Sequence, residues 1–123
     1  MEMNWDSLGF DFNPTGGENV RYYYKDGAWG EAYYTTDEYI PVHISSACLN
    51  YGLQAFEGMK AFRGVDGKVR LFRPHAHYKR MAAGARKLCL PMVSEQMFID
   101  SCIDIVRRNL EFLPPYESRA ALY

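Results

Sequence analysis

Two places in this sequence combine residue types and spacing that suggest chemistry: the stretch Asn50-Tyr51-Gly52-Leu53-Gln54-Ala55-Phe56-Glu57-Gly58-Met59-Lys60, and the basic side chain of Arg80. Gly52 and Gly58 stand where strand interiors disfavour glycine, which points to close backbone approach. Tyr51 and Phe56 flank that space, and together these residues outline an apolar pocket with one polar tip. For Phe56, spacing alone favours core packing. On a helical wheel of about 100° per residue, His77, Arg80, Gly84 and Lys87 fall on a different face from Tyr78, Ala85 and Cys89, so Arg80 turns away from its own core. A guanidinium beside a glycine suits an anion such as a phosphate, although a helix arginine taken alone is more often simply solvated. Lys60 follows the pocket stretch and reads as a strand lysine facing solvent. His75 and His77 are two apart and do not share a helix face, and no Cys or acid completes a set with them, so no metal site is expected. Cys48, Cys89 and Cys102 are odd in number and lack CxxC spacing, which fits reduced, mostly buried thiols.

The elements that must position these residues change character along the chain. Residues 1–19 contain Gly9, Pro14, Gly16 and Gly17 without a sustained period and read as an irregular arm. Residues 20–24 and 28–36 flank Asp26-Gly27, a strong hairpin signal. Residues 39–44, interrupted by Pro41, suit an edge strand or strand entry, and residues 45–52 a loop or one helical turn. Residues 54–63 and 68–73 form a second strand pair around Gly64-Val65-Asp66-Gly67. From Pro74 the period becomes helical through Tyr78, Met81, Ala82, Ala85, Leu88 and Cys89, ending near Leu90-Pro91. Ser94 is the expected N-cap of a second helix whose buried stripe is Phe98, Cys102, Ile105, Val106 and Leu110. Residues 119–123 begin another strand, and because domains rarely stop inside one, the sequence reads as part of a longer protein.

The 123 residues suffice for one domain, and 48% apolar with 24% charged residues is the balance of a globular chain. The resulting fold class is α+β, an antiparallel sheet with two helices packed on one side. A net charge of −1 with scattered basic residues excludes a nucleic-acid stripe. Nothing approaches the ~20 apolar residues of a membrane span, and the start lacks a secretory pattern, so a cytoplasmic location is expected.

The ordered series Asn50-Tyr51-Gly52, Phe56-Glu57-Gly58, Val69-Arg70-Leu71-Phe72-Arg73-Pro74-His75, Arg80-Met81 and Ala121-Leu122-Tyr123 resembles the opening of fold-type IV pyridoxal-phosphate aminotransferases, specifically branched-chain amino-acid aminotransferase. Leu8-Gly9-Phe10 and Pro14-Thr15 resemble the longer arm of one branch of that family. The resemblance implies an arm over residues 1–19, a small α+β domain over 20–123, and a large C-terminal domain, absent from this chain, that carries the cofactor lysine. It implies that Arg80 holds the phosphate of pyridoxal phosphate, and that Tyr51, Phe56 and Tyr123 belong to the substrate pocket. In such homodimers, the residue matching Tyr51 reaches into the neighbouring subunit's site. None of Lys25, Lys60, Lys68, Lys79 and Lys87 matches the catalytic position, so no catalytic residue is expected here and the fragment alone should be inactive. The implied reaction moves the amino group of leucine, isoleucine or valine to 2-oxoglutarate, giving glutamate and a branched 2-oxo acid. The alternatives are a D-amino-acid aminotransferase or aminodeoxychorismate lyase of the same fold, or a non-catalytic module binding through its tyrosine-rich strands, which near-neutral charge disfavours for nucleic acid.

Overall fold

A computed structural model describes residues 4–5 and 16–123, so most of the expected arm, residues 1–3 and 6–15, lies outside the described residues. Strand β1 (Asn19–Arg21) pairs antiparallel with β4 (Tyr33–Thr35), and between them β2 (Tyr24–Lys25) pairs with β3 (Ala28–Trp29). The turn joining β2 to β3 has Asp26 at φ 53° and Gly27 at φ 84°, the two left-handed residues that a tight hairpin turn matching strand twist requires. Tyr24 and Trp29 are cross-strand partners with ring centroids 5.1 Å apart.

Residues 39–44 form no strand, and a short helix α1 (Ala47–Asn50) follows. The second strand pair is shorter than the residue pattern suggests: β5 (Ala61–Arg63) opposes β6 (Val69–Leu71), and residues 54–60 are irregular. Arg70 grips the connecting turn through two bonds of 2.8 Å to the Asp66 carboxylate. The last residues contribute a single antiparallel bridge instead of a strand, in which the backbone of Leu122 exchanges two hydrogen bonds with Ala61.

Helix α2 (Pro74–Lys87) starts where Arg73 turns left-handed at φ 50° and Pro74 supplies the first helical position. It ends earlier than the apolar period implies, because Cys89 adopts φ 54°. That break takes Leu88 and Cys89 off the helical stripe, and both are exposed, which corrects the expectation of a buried Cys89. Helix α3 (Glu95–Arg108) begins at Ser94, whose hydroxyl accepts from the Met97 N–H at 3.1 Å. Its stripe is shorter by one residue, since Leu110 falls in a 3-10 turn (Leu110–Phe112) and is exposed. Tyr78 of α2 meets Phe98 of α3, while Tyr22 beyond β1 shares a hydrogen bond with Ser101 of α3. Ala61, Ala85, Leu113 and Pro114 are buried apolar residues, and Asn109, a polar residue buried as a whole, caps α3 while binding both the N–H and the carbonyl of Glu18.

Candidate functional site

Arg80 sits on the exposed face of α2, as the helical wheel requires, with its side chain 70% exposed. It is not free. Its Nε donates to Glu57 Oε2 at 2.7 Å, and its Nη2 donates to Oε1 of the same carboxylate. This two-pronged contact uses one edge of the guanidinium, and no hydrogen bond ties Nη1 to any described residue. The Glu57 side chain, by contrast, is only 4% exposed.

Two further contacts explain how a carboxylate persists there. His77, one turn before Arg80 on α2, places Nδ1 2.8 Å from Glu57 Oε1, and because a carboxylate only accepts, Nδ1 must carry the proton. The 3.4 Å approach of Arg80 Nη2 to that same Nδ1 is then a contact between two donors and not a bond. The Gly58 N–H also donates to Oε1, at 3.1 Å. The hydrogen bonds from Arg80 hold the Glu57 carboxyl at about 2, against an ordinary 4.5; burial opposes the shift and His77 adds to it. The carboxylate therefore stays ionised, and its presence raises the Arg80 guanidinium above its usual value.

Gly58 allows a second close approach. A Cβ built there would lie 2.9 Å from ring carbons of Tyr123 and closer still to its hydroxyl, so only glycine lets that ring lie against the backbone next to Glu57. The bridge between Ala61 and Leu122 carries Tyr123 to this place. Glu57, Gly58 and Tyr123 line a cleft of about 820 Å³ that Phe98, Cys102 and Ile105 of α3 also line. Burial raises the Cys102 thiol, which keeps it protonated.

The structure thus unites Tyr123 and Arg80 around Glu57, but leaves Tyr51 85% and Phe56 81% exposed, and neither lines the cleft. The core packing that spacing favours for Phe56 is not what the chain does. Glu57 and His77 join the site although residue type and spacing do not single them out. The available signal was His77 and Arg80 at i, i+3 on one helix face, with an acid in the glycine-flanked stretch. His75 likewise finds a carboxylate, that of Glu95 at 2.9 Å.

Comparison with known proteins yields relatives along nearly the whole chain. A branched-chain-amino-acid aminotransferase of Haemophilus influenzae is 40% identical over 122 residues, covering 99% of this chain and 35% of its own length. One from Helicobacter pylori is 35% identical over 98% of this chain, and the branched-chain amino acid aminotransferase gloG of Glarea lozoyensis 38% identical over all of it. The chain spans about a third of the length of these curated relatives. No family model matches.

Proposed function

We infer, from a chain that is a relative of the branched-chain-amino-acid aminotransferases along almost its whole length, that it supplies the phosphate anchor and part of the substrate pocket of a pyridoxal-phosphate aminotransferase. In this reading the whole enzyme is a cytoplasmic homodimer. It transfers the amino group of leucine, isoleucine or valine to 2-oxoglutarate. Pyridoxal phosphate, when bound, supplies the aldehyde and the electron sink that amino transfer needs. The lysine that engages it comes from residues other than those of this chain.

The observation that carries the reading is the half-occupied guanidinium of Arg80, whose inner edge is held by Glu57 while its outer edge faces solvent. A phosphate with two or three acceptor oxygens fits a planar, permanently charged donor fork. Tyr123, with its ring over Gly58 in the cleft beside Glu57, is placed to form one wall of the substrate pocket. Tyr51 and Phe56 project aromatic surface outward and would complete the apolar wall against surfaces beyond this chain. The described helices include none long and apolar enough to cross a membrane.

A titration tests the anchor. Pyridoxal phosphate and pyridoxal, which lacks only the phosphate, are titrated calorimetrically into the chain and into Arg80→Ala. The phosphate compound should bind more tightly to the wild type, and Arg80→Ala should abolish that preference. Equal affinities for the two compounds in both proteins would remove the assignment.

A further inference from the structure

We propose that Glu57 is a positioning residue that grips the inner edge of Arg80, so that the outer edge is presented to a phosphoryl group already oriented. This rests on the assignment of Arg80 above. The geometry divides the guanidinium cleanly: Nε and Nη2 are committed to Glu57, and Nη1 has no hydrogen-bond partner among the described residues. The grip is itself fixed, because His77 and the Gly58 N–H hold the same carboxylate oxygen from other directions. A carboxylate with 4% exposure and three partners does not swing aside to make room for an anion without stranding those donors.

Electrostatics alone argues against such an arrangement, and this makes the idea testable. An ionised Glu57 cancels much of the Arg80 charge and repels any incoming anion, so by Coulomb's law its removal should tighten phosphate binding. Positioning has the opposite sign. An unrestrained arginine on a helix surface samples many rotamers, and fixing it only when the anion arrives lowers affinity. Glu57 orders the side chain beforehand, while His77 and Gly58 order Glu57.

The experiment measures the affinity of the chain for pyridoxal phosphate and for inorganic phosphate in wild type and Glu57→Gln, alongside nitrogen-15 spectra of the arginine side chains. Glu57→Gln keeps the shape of the side chain and loses its charge. Positioning demands about three- to tenfold weaker binding in the variant, the penalty of immobilising one long side chain on binding. Tighter or unchanged binding overturns the proposal. If the variant does not fold, the wild type still decides. The Arg80 Nε–H should exchange with water more slowly than that of Arg86 on the same helix and stay in place when phosphate shifts the Nη1 signals. Exchange as fast as Arg86, or release of the Nε–H on phosphate addition, overturns it. A slow Nε–H in a chain that binds pyridoxal phosphate no better than pyridoxal would overturn the phosphate assignment itself and, with it, the presentation of the outer edge. Nε–H exchange separates that failure from a failure of the grip.

Discussion

Among the described residues two arginines each hold a carboxylate by two hydrogen bonds, Arg70 end-on through Nη1 and Nη2 and Arg80 side-on through Nε and Nη2, in opposite circumstances. Arg70 holds Asp66 across the β5–β6 turn, four residues away, with both side chains substantially exposed. Arg80 holds Glu57 across 23 residues, joining the irregular stretch before β5 to the face of α2, and the carboxylate is almost fully buried. Both carboxyls are pulled to about 2 by their arginines. The shared shift hides a difference in consequence. Water can replace Arg70 at Asp66, whereas little water reaches Glu57, so losing Arg80 leaves a desolvated charge with fewer donors. One fork trims a turn, and the other fastens the site to the fold.

Deleting the arginines should separate the pairs most. Arg80→Ala should lower stability clearly, because it leaves the buried Glu57 carboxylate under-bonded, and weaken pyridoxal phosphate binding roughly ten- to a hundredfold. Arg70→Ala should lower stability much less, because water replaces the arginine at the exposed carboxylate, and leave that binding unchanged. Urea midpoints and calorimetric titrations of both variants check this, and equal stability losses would erase the distinction.

Acid sharpens it next. A carboxyl whose folded value lies below its unfolded one stabilises the fold above the unfolded value, and that stability is lost as pH falls towards the folded value. For Glu57 the window runs from 4.5 down to about 2, and Asp66 titrates in an overlapping one, from 3.8 to about 2. Glu57→Gln should therefore flatten the loss of stability across this window far more than Asp66→Asn does. Urea midpoints taken through the window for the three proteins measure it; matching slopes for the two variants would mean that burial makes no difference.

Smaller effects test the surroundings of the buried fork. Gly58→Ala should cost about 1 kcal/mol, near the lower end for overpacking, because the tip of the Tyr123 ring can swing away. The Tyr123 ring resonances should then shift towards those of a free side chain. An unshifted ring would show that Gly58 does not seat it. Phe56→Ala should change stability of this chain by no more than ~0.5 kcal/mol, since the ring is exposed. A thermal melt showing a loss of about 3–5 kcal/mol would put Phe56 in a core after all.

Much of this was legible locally. The Asp26-Gly27 turn, Pro74 at the start of α2 and the Ser94 cap of α3 each depend on neighbours within a few residues, and each stands where local rules place it. The strand expected over residues 54–63 survives only as Ala61–Arg63. Upstream of it, Glu57 turns its carboxylate to α2 and Gly58 lies against Tyr123, so this stretch answers to distant partners and not to a ladder. Residues 39–44 lack a strand although their composition favours one.

The sequence by itself determined that Arg80 faces away from the core, because a period of about 3.6 residues fixes which side chains share a helix face. It also marked Gly58, where the Tyr123 ring comes close, whereas Gly52, expected to do the same, has nothing near it and adopts φ 61° instead. Only the tertiary structure decided what meets Arg80: Glu57 lies 23 residues away and His77 one turn back, and they converge because of the path the backbone takes from α1 into β5. No local period encodes that path. It is set by which loop closes over which helix, and so the charge at the candidate site, its hydrogen bonds and its half-free guanidinium edge became visible only in the folded chain.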